Sequence, residues 1–270
     1  MGLDLFGTAE AAAAWRRGAA QRARFLAPVT DRMLDAARIG PKSQVLDVGT
    51  GTGDTAVLAA ERVGPTGRVI AIDASAEMLN VAAESARASG LDHIEFRQMD
   101  GGKLALEPGS VDAVIGRHSV QFLDDWPAPL TGFHQVLRPG GRLSFVVWGR
   151  TTENPFMALP VEIPKQLGWP PVSAAAAPFS LGDGQRLRQQ LVTTGFDEVK
   201  VERVGFQTRM PADVALANRL DSPMSRAAVN NASAEQREAF QKAIRSALER
   251  MRDGDSVLVA GVTLLASATR

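Results

Sequence analysis

From Gln44 onward, short apolar runs alternate with longer stretches whose apolar positions recur every three or four residues. The short runs are Gln44–Val48, Arg68–Ile72, Ile94–Gln98, Val111–Ile115 and Arg142–Trp148, and each reads as a strand. The longer stretches, Asp54–Arg62, Ala76–Ala88 and Trp126–Leu137, read as helices. Gly64-Pro65, Gly90 and Pro139-Gly140-Gly141 stop them, and Ser75 is placed to cap the second. Strands alternating with helices of this length predict an α/β protein with a parallel, doubly wound sheet.

The flanks follow other patterns. Ala9 to Arg38 shows helical spacing and is expected to form two helices split near Pro28, with Thr30 or Asp31 capping the second. After Gly149 the rhythm breaks, and the proline-rich stretch Thr151–Leu181 reads as an inserted loop or short-helix segment. Gln185–Thr194 then reads as a helix and Glu198–Gly205 as a strand. Pro211–Arg252 reads as irregular to helical, and Asp255–Ala266 as a closing apolar strand. The expected organisation is a helical lid over residues 1–40, a core over 41–149 and a cap insertion over 150–184. The remainder of the core, 185–270, carries a second cap insertion at 211–252.

Composition narrows the chemistry. The chain has no cysteine, which removes disulfides, thiolate catalysis and cysteine-ligated metals, and no tyrosine to act as a phenolic acid or base. Lys plus Arg equals Asp plus Glu at 30 each, so no basic excess points to nucleic acid. The local cluster Arg16, Arg17, Arg22 and Arg24 reads as a solvated helix face. No apolar run reaches membrane-spanning length, and the first residues lack a secretory pattern, so the expectation is no membrane span and a cytoplasmic protein. No His, Asp and Glu group has metal-ligand spacing, so no metal is expected.

Ligands of doubly wound sheets sit beyond the C-terminal strand ends. The first strand runs into Asp47-Val48-Gly49-Thr50-Gly51-Thr52-Gly53. Its third glycine comes one residue earlier than in the dinucleotide fingerprint, and its leading acid suits a ligand with cationic or amine donors better than a pyrophosphate. The second strand ends at Asp73, placed to accept from a ribose diol, with Ser75 as the better helix cap leaving Asp73 free. Met78, on the following helix, either packs on a flat ring or belongs to the core. Asp100 and Gly101 end the third strand, where they could read an adenine edge or form a plain Asp-Gly turn. The fourth strand leads into Arg117-His118-Ser119, and His118 is either a general base or a structurally satisfied histidine.

The order VLDVGTGTG, IAIDASAEML, MDGG, VDAVIGRHSVQFLDD and LRPGGRLSFVVWG resembles the class I S-adenosylmethionine-dependent methyltransferases. Among these it is most similar to the small-molecule group that includes quinone-biosynthesis C-methyltransferases. The resemblance implies a Rossmann-like sheet of seven strands whose last strand is antiparallel, with N-terminal helices and inserted cap segments. It implies S-adenosylmethionine as cofactor, approached by Gly49, Thr50, Gly51 and Gly53 near the methionine part. Asp73 and Ala74 would serve the ribose, Met78, Asp100 and Gly101 the adenine, and Arg117 a main-chain contact. Cap regions of that family often pair, which raises a homodimer as an expectation.

The expected activity is methyl transfer to an oxygen or carbon of a small, fairly apolar acceptor, such as a secondary metabolite or a quinone-like molecule. His118 is the candidate base. Phe122, Trp126, Trp148, Phe156 and Trp169 are candidates for the acceptor pocket, joined by Trp15 or Phe25 from the lid. Two alternatives remain at this level. One is a natural-product enzyme that uses the bound sulfonium for a non-methylating reaction such as cyclisation. The other is a nicotinamide-dependent oxidoreductase, disfavoured by the early third glycine and by Asp100.

Overall fold

The computed structural model describes residues 8–171 and 177–270. Residues 1–7 of the expected lid and 172–176 of the expected cap insertion lie outside the described residues. Two helices lead the chain, α1 (Ala9–Arg17) and α2 (Ala19–Ala36). The alternating region then supplies β1 (Gln44–Val48), α3 (Asp54–Val63), β2 (Arg68–Asp73), α4 (Ala76–Ala88), β3 (Ile94–Gln98) and β4 (Val111–Arg117). It continues with α5 (Pro129–Val136), β5 (Leu137–Trp148), α6 (Pro155–Gln166), α7 (Gly184–Thr193) and β6 (Asp197–Pro211). Three helices follow, α8 (Ala212–Leu220), α9 (Pro223–Val229) and α10 (Ala234–Glu249), before the two-residue β7 (Arg252–Asp253) and β8 (Ser256–Thr269).

The strands form one sheet in the order β3-β2-β1-β4-β5-β8-β6, with β7 paired to β8 off this path. Neighbours from β3 to β5 are parallel, and β8 runs antiparallel to both β5 and β6. The reversal between β1 and β4 opens the crevice that such sheets use for ligands. Central strands with apolar side chains on both faces need a layer on each. Leu130, Phe133, Leu187, Leu191 and Phe196 cover one face. Leu26, Val29, Met33, Leu34, Ala56, Ala59 and Ala60 cover the other.

Several boundaries move, each for a physical reason. The N-terminal helices part at Gly18, and Pro28 lies inside α2. The missing proline donor is tolerated because Leu26, Val29, Met33 and Leu34 anchor that helix to the sheet. Helix α5 begins at Pro129 instead of Trp126, since a proline favours the first helical turn. The proline-rich segment contains the twelve-residue helix α6, which carries Pro160 and Pro164 within it. The stretch 211–252, expected to be irregular to helical, holds three helices.

The largest difference concerns β6, which continues past Gly205 to Pro211. Its ladder with β8 runs from Asp197↔Thr269 to Pro211↔Ser256, whereas β5 pairs with β8 only from Arg142↔Thr269 to Trp148↔Thr263. The outer halves of β6 and β8 therefore extend beyond β5 as a ribbon. That ribbon carries a third apolar cluster, built from Phe156, Leu159 and Ile163 of α6, Ala215 of α8 and Phe240 and Ile244 of α10, against Met210, Val257 and Val259. Asn154 ties α6 to the ribbon: its amide donates to Val262 O (2.9 Å) and its carbonyl accepts from Val262 N–H (3.0 Å).

Candidate functional site

The turn after β1 is shaped by contacts that exclude side chains. A Cβ on Gly49 would lie 2.5 Å from Ser119 Cβ, and its φ of +66° already disfavours other residues. A Cβ on Gly53 would lie 2.9 Å from Ala82 Cβ, so the third glycine serves the packing of α3 on α4. The turn is held down on the tip of β2. Thr50 N–H donates to Ile72 O and Gly51 N–H to Asp73 Oδ2, both at 2.9 Å.

Asp73 also accepts from Ser75 N–H at Oδ1 (2.9 Å), while Ser75 caps α4 through Met78 N–H (3.2 Å). Ser75 is thus the helix cap, as expected, but Asp73 is not wholly left for a ligand: both its oxygens also anchor backbone N–H groups, each keeping a second lone pair. Burial raises its pKa, opposed by the bonds from Ser75 and Gly51. Asp100 is exposed and accepts from Gly102 N–H at 2.8 Å, so it forms the Asp-Gly turn and borders the mouth of the crevice at the same time.

Asp47 is fully buried at the end of β1. Its Oδ2 accepts from Thr50 Oγ1 at 2.7 Å, and its Oδ1 has no partner among the described residues. Burial pushes its pKa up to about 7, opposed by the Thr50 hydroxyl and the Arg117 charge. Nearby, the Arg117 side chain donates to Thr30 Oγ1 (3.0 Å) and Asp54 Oδ2 (3.2 Å). Arg22 lies 3.8 Å from the same Asp54 oxygen, donates to Trp15 O (2.6 Å) and stacks over the Trp15 ring at 4.0 Å. Burial pulls the Arg22 pKa down to about 10, which leaves it cationic. These contacts tie α1 and α2 to the strand tips.

His118, at φ +54°, stacks on Trp148 at 3.9 Å between ring centroids and 14° between planes. Neither ring nitrogen has a partner among the described residues. Burial, followed by the Arg117 charge, lowers its pKa to about 3, so the imidazole is neutral at ordinary pH. General-base catalysis works best when the pKa lies near the working pH.

Above the strand tips, Arg219 on α8 is only 6% exposed. Its guanidinium lies 4.5 Å from the Phe156 ring centre, and its Nε and Nη1 have no acceptor among the described residues. Burial pulls its pKa down to about 10. An unpaired buried ion costs several kcal/mol, whereas a cation–π contact returns about 0.5–2 kcal/mol.

One cavity of about 510 Å³ joins these parts. Of the residues expected to meet cofactor, Gly49, Thr50, Gly51, Asp73, Ala74, Met78, Asp100, Gly101 and Arg117 line it, and Gly53 does not. His118, Phe122, Trp148 and Phe156 line it too, as do Trp15 and Phe25. Trp126 and Trp169 are not among the lining residues. Trp126 donates to Gln190 Oε1 (2.9 Å) and packs edge-on against Phe145, while Trp169 stacks on Phe240 inside the cap cluster. Arg22, expected on a solvated helix face, is instead largely buried against Trp15 and lines the cavity; Asp54, Met210, Val214 and Arg219 line it without having been singled out in the sequence. A signal existed for Asp54, which directly follows the glycine turn; none existed for Arg219.

The cavity's donor set suits an adenosyl ligand with a cationic amino-acid end. It offers carboxylates at the strand tips Asp73 and Asp100 and apolar surface from Val48, Met78 and Met99, while Asp47, with its orphaned oxygen, is not a lining residue but directly precedes the lining segment Val48–Thr52.

Residues 45–141 match the family model described as "Methyltransferase domain". The chain is similar to the nocamycin O-methyltransferase of Saccharothrix syringae, at 39% identity over 119 residues, covering 44% of this chain and 42% of that protein. It is also similar to the ubiquinone/menaquinone biosynthesis C-methyltransferase UbiE of Hahella chejuensis, at 32% identity over 126 residues, covering 46% of this chain and 50% of that one. The chain thus matches about half the length of these curated relatives. Among solved structures, the YcgJ protein of Bacillus subtilis aligns with a TM-score of 0.62 and 17% identity, covering 89% of this chain and 97% of that one, a likeness of fold alone. With the strand order already found, these matches identify residues 45–141 as a methyltransferase domain with the class I methyltransferase fold.

Proposed function

We propose that this chain transfers a methyl group from S-adenosylmethionine to a small, fairly apolar acceptor bound between the strand tips and the helices on the β6–β8 ribbon. The observation that carries this reading is the single cavity shared by the glycine turn, Asp73 and the apolar cap wall. In it, Asp73 would hold the ribose hydroxyls through its remaining lone pairs, with Ala74 beside it. Asp100 and Gly101 would face the adenine edge, and Met78 its ring. Gly49, Thr50 and Gly51 would face the methionine part, where Asp47 and the Arg117 main chain stand. When bound, the cofactor supplies an electrophilic methyl group to an oxygen or carbon nucleophile.

The chain's own contribution is positioning and exclusion of water. Phe122, Trp148 and Phe156 form the apolar wall, and Trp15 and Phe25 close it from the lid side. With its pKa near 3, His118 fits a neutral hydrogen-bonding wall better than a base. The acceptor then needs an acidic O–H or C–H, or arrives ionised.

Helices α1 and α2, α6, and α8 to α10 serve as lid and cap in this reading. A cytoplasmic, cap-paired homodimer belongs with it; no helix among the described residues is long and apolar enough to cross a membrane. Sedimentation measures the pairing. Calorimetry with S-adenosylhomocysteine tests the cofactor site, and absence of binding by the folded protein ends the proposal. Formation of S-adenosylhomocysteine from S-adenosylmethionine with candidate phenols, enols and carboxylic acids tests the reaction.

A further inference from the structure

We infer that Arg219 is the anion-recognition group of the acceptor end of this cavity, and that the acceptor carries a carboxylate on an otherwise apolar body. This rests on the cavity being the methyl-transfer site.

Three observations meet at Arg219. The side chain is more than nine-tenths buried, yet it borders the cavity. No acceptor among the described residues takes its Nε or Nη1 protons. Its position is also enforced from both sides. Ser222 Oγ donates to the Arg219 carbonyl at 3.2 Å, Ser225 Oγ donates to the same carbonyl, and Ser225 N–H donates to Ser222 Oγ at 3.1 Å. These bonds fix the corner between α8 and α9, while the Phe156 ring faces the guanidinium from α6.

The other charges around the cavity do not neutralise it. Asp54 is engaged by Arg117 and lies within ion-pair distance of Arg22. Asp73 is engaged by backbone N–H groups. Asp221 is exposed and Arg226 half-buried, both border the cavity, and neither forms an ion pair with Arg219. Desolvation alone lowers the Arg219 pKa, with no carboxylate opposing it.

A guanidinium remains charged when buried, and its planar fork matches a carboxylate through two parallel bonds. The surrounding Met157, Met210, Val214, Met224 and Val259 suit a hydrocarbon body and leave that charge as the polar anchor.

The test uses the full chain saturated with S-adenosylhomocysteine and calorimetric titration of matched pairs: 2-naphthoate with 2-naphthamide, cinnamate with cinnamamide, and decanoate with decanamide. At least one acid should bind tenfold or more tightly than its amide. Arg219→Met should bring that pair within twofold, and Arg219→Lys should keep an intermediate preference. S-adenosylhomocysteine affinity should stay within threefold of wild type in both variants. If no pair favours the acid, or if the preference survives in Arg219→Met, the inference is overturned. Loss of S-adenosylhomocysteine affinity with the acid preference unchanged overturns it too and assigns Arg219 to the cofactor. Failure of wild type to bind S-adenosylhomocysteine refutes the methyl-transfer reading instead, so the two failures are distinguishable. The lysine variant, which keeps the charge, supplies the reading if the methionine variant does not fold.

Discussion

Asp47→Asn isolates one buried charge while keeping shape and the acceptor for Thr50 Oγ1. The wild-type carboxyl goes from a pKa of 3.8 in the unfolded chain to about 7 in the fold, chiefly through burial. At 1.36 kcal/mol per pH unit, ionisation of Asp47 removes about 4 kcal/mol of stability once the pH is well above 7. The sign follows from proton counting. Between pH 3.8 and about 7 the folded state holds a proton that the unfolded state has lost, so stability falls as pH rises through that window. The asparagine variant lacks this slope. Contributions from Asp73 and His118 are common to both proteins and cancel in the difference.

Urea unfolding of the ligand-free proteins at pH 5 and pH 8 measures the gap. The variant's advantage over wild type should grow by about 2–3 kcal/mol between those values. A gap constant within about 0.5 kcal/mol would show that Asp47 titrates as an ordinary carboxylate and would refute the buried-charge argument. The same variant should bind S-adenosylhomocysteine at least tenfold more weakly, because the amide cannot offer a negative charge to a cationic amine.

Three further outcomes can be checked. Asp73→Asn leaves a single oxygen where Gly51 N–H, Ser75 N–H and a ribose diol all need acceptors, so S-adenosylhomocysteine affinity should fall tenfold or more by calorimetry; an unchanged affinity removes the ribose assignment. His118, whose pKa is depressed from 6.5 to about 3, contributes stability that is lost as pH falls through that window. From pH 7 to pH 5 wild type should therefore lose about 2 kcal/mol more than His118→Gln in urea unfolding, and equal losses would mean that the imidazole protonates freely. Asn154→Ala strands the Val262 N–H, while the Val262 carbonyl keeps its bond from Gly149 N–H, and should cost about 1–3 kcal/mol, whereas a loss below about 0.5 kcal/mol would show that the clip between α6 and β8 is dispensable.

The strand-tip half of the candidate site was legible because its residues are consecutive. Asp47 to Gly53 is one turn, and Asp73, Asp100 and Arg117 each end an apolar run whose period announces a strand. The cap half was not legible in that way. Phe156, Met210 and Arg219 come from three separate elements and meet only through the β6–β8 ribbon. Trp126 and Trp169 show the limit of choosing pocket residues by type: an indole suits a core or a pocket equally, and here Gln190 and Phe240 take them into packing. Asp73 shows a subtler limit, because its bond to Gly51 spans 22 residues and no local rule foretells it.

By itself the sequence determined the alternation of strand and helix, the order of the glycine turn and its acids, and hence the crevice, since each depends on interactions among near neighbours in the chain. Tertiary structure alone decided that Pro28 stays inside a helix, that β6 and β8 outrun β5 to carry the cap, and that Arg219 is buried without a counter-charge among the described residues. Those features depend on which distant surfaces meet, and burial and pairing of charge are properties of the assembled packing that no local spacing encodes.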